Sequence, residues 1–94
     1  MKTFEELTNL EKSVLLIWGR ELNYSTSAHY PKQGIEKRLK TNLPGILHKD
    51  LKRINKTLIS SGFITQHPAR RNTTYSLSID GLKCCNILKN ENDI

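Results

Sequence analysis

The sequence predicts an α+β fold with four helices and a β-hairpin between the third and the fourth. Three observations support this. Apolar residues recur with helical spacing in residues 44–61, a turn-rich segment lies between two β-prone segments in residues 63–77, and 94 residues suffice for one small domain. We therefore expect one domain spanning residues 1–94, with helices at about 8–22, 32–40, 44–61 and 79–90.

The first helix is predicted from a capping box. Thr8 and Glu11 have the spacing at which a hydroxyl and a carboxylate cap each other's backbone amides. One face of this helix is apolar and carries Leu10, Val14, Ile17 and Trp18. Leu15 and Leu16 fall outside that face, so either the later helices bury them or they form a homodimer contact.

The next segment, residues 23–30, has no helical periodicity and is rich in hydroxyl groups. We expect a loop there, which either lacks regular structure or includes a short strand that pairs with the hairpin. The second helix, residues 32–40, turns Ile35 and Leu39 inward. Because Gly34 lowers its intrinsic helix propensity, this helix depends on packing for its stability.

The third helix is the most clearly patterned part of the chain. Pro44 suits a first helical turn and Gly62 suits the left-handed residue after a helix end. The predicted core stripe consists of Leu47, Leu51, Ile54 and Leu58. The opposite face gathers Gly45, Lys49, Lys52, Arg53 and Lys56, and Asp50 is expected to point away from these cations.

The predicted hairpin occupies residues 63–77. Its flanks, 63–66 and 73–77, are rich in aromatic and β-branched residues, and the segment between them is rich in Pro, Asn and Arg. Ile64, Tyr75 and Leu77 are expected to face the core. Arg70 and Arg71 are placed at the tip, and His67 is interpreted as a surface turn residue.

The last helix is predicted over residues 79–90, with Ser78 as its N-cap and Asp80 in its first turn, where a negative charge is favourable. Its apolar residues are Leu82, Cys85, Ile87 and Leu88. A polar tail follows.

Residues 35–83 resemble the winged helix-turn-helix fold of bacterial and archaeal transcription regulators, including the MarR-like families. The resemblance depends on Ile35-Glu36-Lys37-Arg38-Leu39, on the third helix running through Gly62 into Phe63-Ile64, and on the string from Arg70 to Gly81 that contains Tyr75-Ser76-Leu77-Ser78. It implies that the third helix enters the DNA major groove while the hairpin, or wing, contacts the backbone or minor groove. The DNA-binding residues implied are Gly45, Ile46, Lys49, Lys52, Arg53, Lys56, Arg70 and Arg71.

The charge distribution agrees with this implication. The net charge is +6, yet residues 32–71 contain ten basic and two acidic residues, whereas the remainder has a net charge of −2. A localised positive charge is typical of a phosphate-binding surface. A basic membrane-surface helix is the alternative, but the apolar face of the third helix lacks the Trp and Phe common in such helices.

Other classes find little support. No apolar run approaches the length of a membrane span, and no signal peptide is evident, so we expect a cytoplasmic protein. Cys84 and Cys85 are adjacent, which does not suit a zinc site; they are either ordinary half-buried thiols, which we favour, or redox sensors. No catalytic motif is found, so we expect a protein that is not an enzyme and uses no metal or other cofactor.

Two functions remain. The first is a sequence-specific regulator of transcription, repressor-like, that binds double-stranded DNA as a homodimer through its first and last helices. The candidate dimer residues are Leu15, Leu16, Ile87 and Leu88. The second is a winged-helix module for protein interaction or replication that does not recognise a DNA sequence. The clustered cations favour the first.

Overall fold

Four α-helices form most of the molecule, and a computed structural model describes residues 1–68 and 73–92, without the side chains of Lys32 and Asn92. The helices are α1 (Asn9–Glu21), α2 (Lys32–Asn42), α3 (His48–Ser60) and α4 (Ile79–Asn92), preceded by a short 3-10 helix at Phe4–Glu6. Within the described residues, none of these helices has the length and apolarity needed to cross a membrane.

A three-stranded antiparallel sheet packs beside the helices. Its strands are β1 (Tyr30–Pro31), β2 (Ile64–His67) and β3 (Thr74–Leu77), in the order β1-β3-β2. β2 and β3 form the predicted hairpin, with Ile64 opposite Leu77 and His67 opposite Thr74. Tyr30 pairs with Tyr75, so the short strand considered for residues 23–30 is present at the end of that segment. The predicted α+β fold is therefore confirmed.

The start of α1 is held by the predicted capping box. The Thr8 hydroxyl accepts a hydrogen bond from the Glu11 amide at 3.1 Å, and the Glu11 carboxylate accepts one from the Thr8 amide at 2.8 Å. Glu11 is buried, and Lys2 Nζ lies 2.8 Å from its Oε1. Burial raises the pKa of Glu11, but the hydrogen bonds from Lys2 and Thr8 outweigh burial and leave the pKa below its usual value.

The core centres on Trp18, which is 1% exposed. Its ring meets the Tyr75 ring edge-on, with 5.7 Å between centroids, and its Nε1–H donates a hydrogen bond to Asn55 Oδ1 at 2.9 Å. One side chain therefore joins α1, α3 and β3. Ile64, Tyr75 and Leu77 are all buried, as the alternation in the hairpin predicts.

The third helix begins later than the sequence pattern predicts. α3 starts at His48 with Leu47 as its N-cap, whereas Pro44 and Gly45 form a turn after α2. Gly45 has φ +88°, a left-handed conformation that a right-handed helix excludes. Leu47 is consequently 56% exposed, and its assignment to the core stripe was wrong. The predicted helix end is correct, since Gly62 has φ +83°.

The last helix packs on the first and leaves little room between them. A Cβ atom on Gly19 of α1 would lie 2.5 Å from Cys85 Sγ of α4, so the two backbones approach closely there. Leu15 is completely buried and Leu88 is 6% exposed. These two predicted dimer residues instead face the interior of their own chain, because α1 is covered by other helices on more than one side.

Candidate nucleic-acid interface

The helix α3 separates charge from apolar surface. Lys49, Lys52, Arg53 and Lys56 are all exposed, whereas Leu51, Ile54 and Leu58 are at most 1% exposed. The predicted basic face is thus present as a solvated surface on a helix that the core holds in place. The charged groups of these four side chains therefore lie in solvent and are accessible to a partner molecule.

One acid lies beside this face. Asp50 Oδ1 is 3.8 Å from Arg53 Nη2, so the prediction that Asp50 points away from the cations was wrong. The reason is helical geometry, since residues three apart are neighbours on a helix surface. The Arg53 side chain is 64% exposed, and such a long, solvated ion pair contributes little stability and leaves Arg53 free to exchange partners.

Gly45 and Ile46 do not belong to the helix. Both lie in the turn before α3, and Ile46 is half-buried against the core. At this end of the interface, the predicted DNA-binding residues therefore belong to two elements, the turn before α3 and α3 itself. His48 and Lys49 occupy the first helical positions, and Gly45 and Ile46 shape the approach to them.

The hairpin adjoins α3 on one side of the molecule. β2 follows α3 directly through Gly62 and Phe63, and the two elements are in contact. Arg70 and Arg71, predicted for the hairpin tip, lie outside the described residues. In the sequence they belong to the segment that links β2 to β3.

The position of His67 differs from its prediction as a surface turn residue. His67 ends β2, and its Nε2 lies 2.7 Å from Ser76 Oγ. Its ring lies against the His29 ring, with centroids 4.3 Å apart and the ring planes tilted by 38°. The pairing of β2 with β3 extends to His67, one residue beyond the predicted end of the first flank at residue 66. This half-buried histidine therefore serves the packing between β2 and the segment before β1.

Sequence reasoning missed a cavity of about 300 Å³ behind the basic face. It lies between α1, α3 and the sheet, and its lining consists of Trp18, Lys52, Asn55, Lys56, Ile59, Ser60, Gln66 and Tyr75. The signal available in the sequence was Asn55, a polar residue on the apolar face of α3 between Leu51 and Leu58. Asn55 is 3% exposed.

The cysteines have no visible part in this interface. Burial raises the pKa of Cys85 to about 12 and also raises the pKa of Cys84, so both thiols stay protonated at neutral pH. Cys85 Sγ lies 3.5 Å from the carbonyl oxygen of Leu15. Across residues 1–68 and 73–92, no three His, Cys, Asp or Glu side chains gather where they would hold a metal ion.

Comparisons with known proteins find a similar solved structure but no matching sequence family. The chain matches no protein-family model and no curated protein sequence. It is similar to the crystal structure of SSV1 F-93, with a TM-score of 0.70 and 17% sequence identity over 94% of this chain and 86% of that chain. The four helices and the three-stranded antiparallel sheet form an α+β fold, and this likeness is compatible with a winged helix-turn-helix. At 17% identity the likeness concerns the fold alone.

Proposed function

We propose that the protein is a sequence-specific double-stranded DNA-binding regulator of transcription, repressor-like and related to the MarR-like families. The observation that carries this proposal is the exposed row of Lys49, Lys52, Arg53 and Lys56 on α3. In a winged helix-turn-helix this helix enters the major groove, where Arg and Lys bind guanine O6 and N7. Catalysis forms no part of the proposal, and the cytoplasmic location stays a prediction.

The alternative is a winged-helix module that binds proteins and has no use for a DNA surface. Such a module gains nothing from four solvated cations on one helix face with two further arginines in the wing segment. Like charges in one row repel each other, so a row of this kind is favourable only when an anion neutralises it. A polyanionic duplex is the partner that fits a row of such length.

The test is a mobility-shift titration with random-sequence duplex DNA at two salt concentrations. If the six proposed cations all contact phosphates, affinity should fall by up to about 1,000-fold between about 50 and 200 mM salt, because each neutralised phosphate releases counterions. A protein that fails to bind duplex DNA at the lower salt concentration would contradict the proposal and favour the interaction module.

The wing arginines give a second, separate prediction. Replacing Arg70 and Arg71 together by alanine should weaken binding to random and selected DNA alike and lower the slope of log affinity against log salt by up to about two. The melting temperature should change little, because two neighbouring arginines give the fold no obvious packing benefit. An unchanged slope would place the wing off the DNA, whereas a loss of sequence preference alone would indicate that these arginines sense bases or groove width.

We also propose that the regulator acts as a homodimer through α1 and α4. Ile87 is 45% exposed on α4 and Leu16 is partly exposed on α1, so these two remain from the predicted contact set after Leu15 and Leu88 are assigned to the core. Sedimentation equilibrium at tens of micromolar should give twice the mass of the chain. Ile87→Lys should shift the mass to that of one chain, and Leu47→Lys, at an exposed apolar position that precedes α3 and is not among the predicted contact residues, should not. A single-chain mass for the unaltered protein would remove the dimer and the expected two-fold site.

A further inference from the structure

Two of the three histidines of the chain lie in contact beside the sheet, although they are far apart in the sequence. His29 precedes β1 and His67 ends β2, and their ring centroids are 4.3 Å apart. Imidazole is the commonest metal ligand in proteins and suits Cu²⁺, Ni²⁺ and Zn²⁺. We propose that this pair binds a divalent transition-metal ion, with Cu²⁺ bound more tightly than Zn²⁺.

The sheet holds the two rings next to a buried hydroxyl group. Ser76 of β3 is 3% exposed, and its Oγ lies 2.7 Å from His67 Nε2. Tyr30 is opposite Tyr75 in the antiparallel pairing of β1 with β3, so His29, the residue before Tyr30, lies beside Ser76. The two imidazoles therefore approach the same serine from the two sides of β3.

The contact with Ser76 leaves one nitrogen of His67 for a metal ion. When Nε2–H donates to the serine oxygen, Nδ1 keeps the lone pair that a metal ion requires. Metal-binding histidines commonly donate their other ring N–H to a protein oxygen in this way, which fixes the tautomer and the ring orientation. His29 is exposed, and rotation about its Cβ–Cγ bond turns either nitrogen toward the ion while the ring centre stays nearly in place.

The spacing of the two rings favours one coordination geometry. A metal ion about 2.1 Å from a ring nitrogen lies about 3.2 Å from the ring centroid, because the nitrogen is itself about 1.1 Å from that centroid. Two centroids 4.3 Å apart then subtend an angle of about 85° at the ion. This angle is close to the value of about 90° between neighbouring ligands in tetragonal Cu²⁺ and Ni²⁺ sites, and it is well below the tetrahedral value of about 109° that suits Zn²⁺.

Two protein ligands make an open site in which water completes the coordination. Across residues 1–68 and 73–92, no third His, Cys, Asp or Glu side chain joins the pair. The affinity then comes from chelation, since an ion held by one imidazole binds the second with a gain of about 100-fold or more over a single imidazole. Neither histidine belongs to the basic face of α3, so this proposal does not depend on DNA binding.

The first test titrates the full chain with Cu²⁺ and follows the imidazole signals by NMR. Because Cu²⁺ is paramagnetic, a sub-stoichiometric amount should broaden the signals of His29 and His67 and leave the signal of His48, an exposed histidine at the start of α3, sharp. Cu²⁺ at about 100 times its Kd should also raise the melting temperature by about 10 °C, since only the folded chain holds the two rings together. Equal broadening of all three signals, or none at about 1 mM Cu²⁺, would mean that the pair only packs and would overturn the proposal.

Matched substitutions locate the ion. His29→Gln and His67→Gln should each raise the Kd for Cu²⁺, measured by calorimetry, by about 100-fold, because each leaves a single imidazole. His48→Gln removes the same group from an exposed position outside the pair and should leave the Kd unchanged. His29 is exposed as well, so its variant should fold, and circular dichroism checks the fold of His67→Gln. A Kd for His29→Gln within about threefold of the unaltered value would place the ion elsewhere and contradict the proposal.

The coordination geometry is tested separately by electron paramagnetic resonance of the bound Cu²⁺. The unaltered protein should give the spectrum of a tetragonal site with hyperfine structure from two nitrogen ligands, and His29→Gln should give structure from one. Competition between the two metals should show Zn²⁺ bound more weakly than Cu²⁺, as both the ring spacing and the general order of metal affinities require. A tetrahedrally distorted spectrum, or tighter binding of Zn²⁺, would contradict the assignment of this pair to a Cu²⁺ site.

Discussion

Replacing both Lys49 and Arg53 by alanine is expected to weaken binding to a specific duplex by about 100-fold, because each bidentate contact with guanine contributes about 1–3 kcal/mol. The two side chains are four residues apart near the start of α3 and are both exposed on its basic face. The measurement is fluorescence anisotropy with a duplex selected from a randomised pool. Discrimination between the selected duplex and random DNA should fall together with the affinity, because these residues are proposed to contact base edges.

A charge-matched control separates this local effect from a general loss of positive charge. Lys83 and Lys89 are exposed on α4, so alanine at both removes the same net charge away from α3. Lys89 Nζ also lies 4.0 Å from the centroid of the Tyr24 ring, in a cation–π contact. Loss of this contact should lower the free energy of unfolding by about 0.5–1 kcal/mol and should not change the surface of α3. Specific binding should change by less than about fivefold. Equal losses in the two double variants would show that overall charge, and not the α3 face, governs the affinity.

The elements that the sequence predicts well are those whose signals are local. The capping box of α1 needs only residues three apart, and the end of α3 needs only a glycine in the left-handed conformation. The basic face of α3 follows from helical periodicity, since Lys49, Lys52, Arg53 and Lys56 are all exposed. For these features, tertiary packing did not alter what the local sequence favours.

The features that sequence reasoning missed depend on distant contacts or on two local preferences that compete. Pro44 suits a first helical turn and a β-turn equally well, and the left-handed Gly45 decides for the turn. Leu15 and Leu88 have apolar side chains whose partners periodicity cannot identify, and the structure buries both within one chain. The partner of Asn55 is Trp18, 37 residues away, so a polar residue on the apolar face of α3 signals a buried contact but identifies neither its partner nor the cavity beside it.

Gly81→Ala is expected to lower the melting temperature by about 15 °C, which corresponds to a loss of about 3 kcal/mol in a domain of this size. A Cβ atom at Gly81 would overlap the carbonyl oxygen of Phe63 and would lie 3.0 Å from Leu77 Cδ1. The backbone at Phe63 cannot move aside as a flexible side chain can. The same Phe63 carbonyl accepts hydrogen bonds from the Ser78 amide at 3.1 Å and the Ser78 hydroxyl at 3.0 Å, and Ser78 caps α4 through the Gly81 amide. Displacing α4 would therefore also disturb the link between the exit of α3 and the start of α4.

The same substitution at Gly34 provides a control with the opposite sign. Gly34 is the third residue of α2, as Gly81 is of α4, so both occupy the same position in the first helical turn. No atom lies within 4 Å of a Cβ built on Gly34, and alanine there should raise the melting temperature by about 2–4 °C through its higher helix propensity and the lower entropy of the unfolded chain. Thermal unfolding of the two variants, followed by circular dichroism at one pH and concentration, gives the comparison. If Gly81→Ala proved as harmless as Gly34→Ala, the close approach of α4 to Phe63 would be wrong, and with it the placement of the last helix beside the wing.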